Sequence, residues 1–246
     1  MRENYTLPRL YIDTALSLGV DITLDKAKAH YLGTVLRKSV GDALRIFNGR
    51  EGEWRADITS IDKKRASLTL IEPLRPHHPC PDIWLCFAPV RKHRNAFIFE
   101  KGTELGVSRF QPVITARTQF PKMRLGKDKA QIIEAAEQTE RLDIPEVRLG
   151  VSLIDLLSGW DKNRVLIFAD EAGDAPRAAE LLSGITPDTS CAILIGPEGG
   201  FTPEEREILR SKPYVRPVSL GPRILRADTA ALSLLTLWQA QLGDWA

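Results

Sequence analysis

The residues best suited to chemistry stand in two loops near the carboxyl end. Leu194-Ile195-Gly196-Pro197-Glu198-Gly199-Gly200-Phe201-Thr202-Pro203-Glu204-Glu205 leaves a short apolar run, carries three glycines and ends in a helix-start signature. Thr202 fits the N-cap, Pro203 the first helical position and Glu205 the reciprocal partner of a capping box. Glycines let a ligand approach the backbone closely, and ligands of open α/β sheets sit beyond the carboxyl ends of strands. A tight strand-to-helix turn with no ligand would use the same residues. The loop lacks the Gly-Lys-Ser/Thr ending of a nucleoside-triphosphate loop, no Gly-x-Gly-x-x-Gly follows a strand, and Glu198 opposes a polyphosphate.

The second loop, Ser219-Leu220-Gly221-Pro222-Arg223-Ile224-Leu225-Arg226-Ala227-Asp228-Thr229-Ala230, repeats the plan. Its two arginines offer planar, bidentate donors for a carboxylate, a phosphate or a base edge; surface ion pairing is their other use. Asp228 or Thr229 fits the cap of the helix that follows. Lys101-Gly102-Thr103-Glu104-Leu105-Gly106-Val107 is a helix end with two glycines, and Gln138 and Arg141 close a long helix before Ile144-Pro145-Glu146.

The elements that must position these loops alternate between strand and helix. Ile83–Val90, Phe110–Ile114, Val165–Ala169, Cys191–Ile195 and Val215–Leu220 read as strands, the later ones as continuous apolar runs of a buried parallel sheet. Arg94–Leu105, Lys127–Arg141 and Thr229–Gln241 read as helices, so the region after residue 83 is an α/β domain. Before it, Ala43–Phe47, Glu53–Ile58 and Ser67–Ile71 read as strands, with a turn signal at Asn48-Gly49 and one helix over Asp25–Arg37. Pro73, Pro76, Pro79 and Pro81 stiffen the connection between the two regions. The expected domains are therefore a small β module over 1–73, a proline-rich linker over 74–82 and an α/β domain over 83–246.

A length of 246 residues with 43% hydrophobic and 27% charged residues suits one or two globular domains. No apolar run reaches the roughly 18 residues of a membrane span, no signal-peptide pattern is present, and Cys80, Cys86 and Cys191 are too scattered for a disulfide framework or paired zinc motif. No metal, no membrane and a reducing cytoplasm are expected. The net charge of +2 conceals a split: residues 1–75 carry 13 basic and 10 acidic side chains, 91–148 carry 12 and 8, and 149–246 carry 9 and 13. The densest basic run is Arg117, Lys122, Arg124, Lys127 and Lys129 with only Asp128 among them. A split of this kind fits a polyanionic partner or a solvated face.

Gly-Pro-Glu-Gly-Gly at 196–200, Leu-Gly-Pro-Arg-Ile-Leu-Arg at 220–226 and Lys-x-x-Glu-Leu-Gly-Val at 101–107 follow His30-Tyr31-Leu32 and Val35-Leu36-Arg37. In this combination the chain closely resembles the RsmE family, the 16S ribosomal RNA (uracil-N3)-methyltransferases of the SPOUT superfamily. The resemblance implies a PUA-like RNA-binding β-barrel followed by a trefoil-knotted α/β domain, S-adenosylmethionine as methyl donor, and a homodimer. It implies that Ile195, Gly196, Pro197, Glu198, Gly199 and Gly200 form one wall of the cofactor pocket and Leu220, Gly221, Ile224, Leu225 and Arg226 the other. Two departures stand out: Asp228 replaces the family's usual glutamate, and Glu140 stands where a small residue is common.

On this resemblance, uracil N3 loses a proton and attacks the methyl group in line. Arg226 is the candidate for offsetting charge on O2 and O4, and Glu198 or Asp228 for taking the proton. RNA contact is expected at Arg37, Lys101, Arg117, Lys122, Arg124, Arg141 and Arg223, with 16S rRNA or the small ribosomal subunit as partner. The competing expectations are a knotted methyltransferase acting on a 2′-hydroxyl or another base, and a non-catalytic RNA-binding assembly factor.

Overall fold

Two sheets organise the chain, each in its own unit. The computed structural model describes residues 3–172 and 174–246. One unit comprises Met1–Pro79 and Ala136–Ile144, the other Cys80–Ala135 and Pro145–Ala246.

In the first unit, β1 (Arg9–Tyr11), β2 (Asp21–Leu24), β3 (Ala43–Phe47), β4 (Glu53–Ile61) and β5 (Ala66–Arg75) lie in the order β1-β3-β4-β5-β2. β1 runs parallel to β3 and the other neighbours pair antiparallel. Alternate residues point inward, so Leu44, Ile46, Ala56, Ile58, Leu68 and Leu70 build the core with Leu32. The helix expected over 25–37 is shorter: Asp25 accepts from the Lys28 N–H at 2.9 Å to start α1 (Lys26–His30), and a wider π-type turn over Tyr31–Val35 follows. The expected linker also starts too early, because Leu74 and Arg75 still belong to β5.

The largest correction concerns Ala136–Ile144, which sequence places inside the α/β domain and the structure places in the first unit. Ala136 and Leu142 pack on Phe47 beside Tyr11 and Ile144. Arg9 explains the attachment. Its guanidinium donates to the carbonyls of Ala136 (2.8 Å), Glu137 (2.9 Å) and Arg141 (2.8 Å), and to Glu53 Oε1 at 2.6 Å. Helix-end carbonyls lack intrahelical donors, and a buried arginine supplies them. Glu140 closes the group, ion-paired to Arg45 at 2.7 Å and Arg75 at 3.0 Å. Burial alone would raise the Glu53 carboxyl, but hydrogen bonds from Arg75 and Arg9 hold it below its ordinary value.

In the second unit, β6 (Ile83–Phe87), β7 (Arg109–Ile114), β8 (Glu146–Val147), β10 (Val165–Ala169), β11 (Cys191–Ile195) and β12 (Val215–Val218) lie in the order β12-β10-β11-β6-β7-β8. A further short strand, β9 (Val151–Ser152), pairs with β7, and every pairing is parallel. The helices are α2 (Lys92–Glu104), α3 (Leu125–Gln138, of which residues 125–135 belong to this unit), α4 (Leu153–Ser158), α5 (Ala178–Ser183), α6 (Pro203–Arg210) and α7 (Ala227–Leu242). Continuous apolar strands mean burial on both faces. Ala192 and Leu194 of β11 join a cluster with Phe168, Phe201, Leu209 and Tyr214, whereas Cys191 meets Trp238 of α7. α7 packs on α2, α5 and β11 and buries Ala231, Leu234, Leu235 and Trp238. Among the described residues, no helix is long and apolar enough to cross a membrane.

Candidate active site

β11 and β12 both end at one cavity of about 900 Å³. Its walls include Ile195, Gly196, Pro197, Glu198, Gly199 and Gly200 from the first loop and Leu220, Gly221, Pro222, Arg223, Ile224, Leu225 and Arg226 from the second. The two loops singled out by sequence thus face the same space, at the carboxyl ends of the strands, as the sheet rule requires. The size lies within the usual range of roughly 300–1,000 Å³ for small-molecule sites.

Local structure fixes the first loop. Thr202 accepts from the Glu205 N–H at 3.2 Å, and Glu205 accepts from the Thr202 N–H at 2.9 Å, so the capping box starts α6 as the spacing predicts. Glu205 also accepts from the Ala116 N–H at 2.8 Å. Arg117 donates to the Gly199 carbonyl at 2.8 Å. At Gly196 a Cβ would come within 2.6 Å of the Phe201 ring, so only glycine fits between the loop and the fully buried ring. Gly200 holds φ at +65° with Glu171 beside it.

The second loop is held from outside its own sequence. Ser219 donates to the Pro176 carbonyl at 2.8 Å and accepts from the Ala178 N–H at 3.0 Å. Gly221 stands at φ +103° and a Cβ there would meet nothing within 4 Å, leaving its backbone open to a ligand. The expected cap of α7 is corrected: Arg226 occupies the N-cap without a side-chain hydrogen bond, and Asp228 instead accepts from the Thr229 N–H at 2.9 Å.

Several lining residues gave no signal in the sequence. Arg91, His93 and Arg94 reach the cavity from the start of α2, and Ala169, Asp170 and Glu171 from the end of β10. Arg94 pairs with Glu198 at 3.0 Å and stands 4.0 Å from Asp228, so one guanidinium joins the two carboxylates expected to act as acid–base groups. Glu198 lines the cavity itself; Asp228 reaches it only through Arg94. Asp170 is fully buried and accepts from Arg210 at 2.7 and 2.9 Å, with Arg210 also on Asp174. These pairings raise the Arg210 guanidinium and lower the Asp174 carboxyl.

The residues expected at RNA divide. Arg37, Lys122, Arg124 and Arg223 are exposed, Arg37 in the first unit and the others in the second. Arg117 is exposed but also braces the glycine loop. Lys101 is already paired with Glu100 at 2.8 Å and Glu104 at 2.7 Å. Arg141 is a correction: it is buried and donates to Asp143 at 2.8 Å, so it presents no charge to a phosphate. Glu140 likewise serves the arginine cluster of the first unit.

Comparison with known proteins agrees with this geometry. A family profile described as an RNA methyltransferase domain matches residues 76–239, and one described as an RNA methyltransferase PUA domain matches 24–71. A ribosomal RNA small subunit methyltransferase E of Rickettsia conorii is 33% identical over 228 residues, 92% of this chain and 93% of that protein. The crystal structure of a protein of the same name from Neisseria gonorrhoeae, bound to S-adenosylmethionine, superposes with a TM-score of 0.87 at 27% identity, covering 98% of this chain and all of the other. A Legionella pneumophila protein described as a methyltransferase, in complex with the same cofactor, gives 0.85 at 31% identity over 97% of this chain and 99% of that one.

Proposed function

The chain belongs to the ribosomal RNA small subunit methyltransferase E family, and from that premise we propose that it methylates N3 of a uridine in 16S ribosomal RNA with S-adenosylmethionine as donor. The observation that carries the reading is the convergence of both glycine loops, Glu198 and Arg226 on one cavity. The pocket fits the cofactor: at Gly221, φ +103°, a Cβ would meet nothing within 4 Å, so that backbone is open to a ligand, while the glycines at 196, 199 and 200 let the first loop lie close against Phe201, Arg117 and Glu171 and present its backbone to the cavity. When bound, S-adenosylmethionine supplies an electrophilic methyl group.

The chain's own residues then have separable tasks. Residues 195–200 and 220–226 hold and orient the reactants, which converts the encounter into an effectively unimolecular step. Glu198 is the better placed of the two carboxylates to take the N3 proton, because it lines the cavity while Asp228 does not. Arg94 fixes the Glu198 carboxylate from α2. Arg226, exposed at the start of α7, offsets the charge that develops on the uracil oxygens.

The reading includes RNA contacts through Arg37, Arg117, Lys122, Arg124 and Arg223, a cytoplasmic location and a homodimer. The buried thiols of Cys86 and Cys191, which form no disulfide, support a reducing compartment, and Ile224, 89% exposed on the cofactor loop, supports coverage by a second copy. A trefoil knot is supported by the path after β12, which is hydrogen-bonded into the β10–α5 connection at Pro176 and Ala178 before α7 packs on α2.

The test is Arg226→Ala, with methyl transfer to 16S rRNA and S-adenosylmethionine affinity measured separately. Transfer is expected to fall about 100- to 1,000-fold, the usual effect of losing one charge-stabilising donor. Wild-type turnover would remove Arg226 from the mechanism.

A further inference from the structure

Phe120 is 38% exposed in the connection between β7 and α3, which also carries Arg117, Lys122 and Arg124. It shares a small recess with Pro89, Val90, Pro197, Glu198 and Gly199. Pro197, Glu198 and Gly199 also line the large cavity, so the aromatic ring sits against the outer side of the same wall that bounds the reacting centre. The Arg91 guanidinium lies 6.0 Å from the ring centroid, at the limit of a cation–π contact, and Arg91 too lines the cavity.

The surroundings are basic. Exposed Lys122 and Arg124 follow within four residues, Arg117 precedes, and the one acid of the run, Asp128, is occupied by the Arg124 N–H at 3.0 Å. An exposed aromatic ring among guanidinium and ammonium groups matches the surface that unstacked bases of single-stranded nucleic acid use: the charges track phosphates and the ring takes a base face.

We propose that Phe120 is a stacking platform for an RNA base next to the nucleotide that enters the cavity, with Arg91 covering the same base or its phosphate. The inference rests on the RNA-methyltransferase reading of the neighbouring cavity. A base seated on Phe120 would hold the RNA strand at the Pro197–Gly199 wall, so the contact sets substrate position and contributes nothing to cofactor binding.

The experiment compares wild type with Phe120→Ala, Phe120→Leu and Phe120→Tyr for binding to in vitro transcribed 16S rRNA over a salt series. Phe120→Ala and Phe120→Leu should bind roughly 5- to 150-fold more weakly, with Phe120→Tyr near wild type. The slope of log affinity against log salt should stay that of wild type, because stacking releases no counterions. S-adenosylmethionine affinity by calorimetry should be unchanged, and the KM for RNA should rise. Wild-type binding by Phe120→Ala, full rescue by leucine, or a change of oligomeric state by light scattering would each overturn the proposal, the last by assigning the ring to contact between copies. Methyl transfer by the wild-type protein is scored separately: its absence would defeat the methyltransferase reading, while the RNA affinities still decide the role of Phe120.

Discussion

Replacing Gly196 by alanine should damage the cofactor site through a single steric contact. Gly196 does not have positive φ, so alanine suits its backbone. The added Cβ would lie 2.6, 2.9 and 3.2 Å from three carbons of the Phe201 ring. That ring is fully buried and meets Phe168 edge-on at 5.0 Å, so it has no free direction in which to move. Overpacking of this kind costs about 1–3 kcal/mol, and the reduced freedom of the unfolded chain returns about 0.4–1 kcal/mol. A net loss of about 1–2 kcal/mol corresponds to a fall of roughly 2–8 °C in melting temperature for a chain of this size. If the loop moves instead of the ring, it moves toward the cavity, and the same strain appears as roughly tenfold weaker cofactor binding. Calorimetry in the presence and absence of S-adenosylmethionine separates the two. Adding Phe201→Leu makes room for the Cβ, so the double variant should recover about 0.5–2 kcal/mol relative to the sum of the single effects. Unchanged stability and affinity in Gly196→Ala, or strict additivity in the pair, would show that the contact carries no such weight.

Three further outcomes can be measured directly. Glu53 is held below its ordinary value of 4.5 in the folded chain, so its contribution to stability is present above that value and is lost as pH falls below it; acid titration of unfolding should show this, and Glu53→Gln should remove that dependence while costing about 3–5 kcal/mol by taking from the buried Arg9 its closest carboxylate. Arg210→Ala strips the buried Asp170 of its closest partner and should loosen the Ala169–Glu171 wall, weakening S-adenosylmethionine affinity measured by calorimetry while leaving the ion cluster of the first unit intact; wild-type affinity would show that the clamp does not shape the pocket. RNA affinity should fall steeply between about 50 and 200 mM salt, and a flat response in a filter-binding assay would contradict phosphate contact by the basic segments.

Local signals made much of this architecture legible. The apolar runs of β10 and β11 were readable because burial on both faces leaves no alternation to disguise, and Thr202, Pro203 and Glu205 announced α6 because a capping box is complete within four residues. The glycine loops could be paired only by resemblance, since nothing in their spacing says that β11 and β12 end at one cavity with β10 between them. Arg94 reads as the charged start of a helix; its approach to Glu198 is a tertiary fact with no local pattern. The same holds for Ala136–Ile144, whose placement depends on Arg9 donating to carbonyls more than 125 residues away. Arg141, expected at RNA, is instead buried against Asp143, and the glutamate at 140, unusual for the family, is accounted for by the arginines it pairs with.

Mass spectrometry of 16S rRNA nucleosides from cells lacking this protein tests the central claim most directly. The expected result is loss of N3-methyluridine, restored by the wild-type chain and not by Arg226→Ala. An unchanged level of N3-methyluridine, or the loss of a different methylated nucleoside in its place, would contradict it.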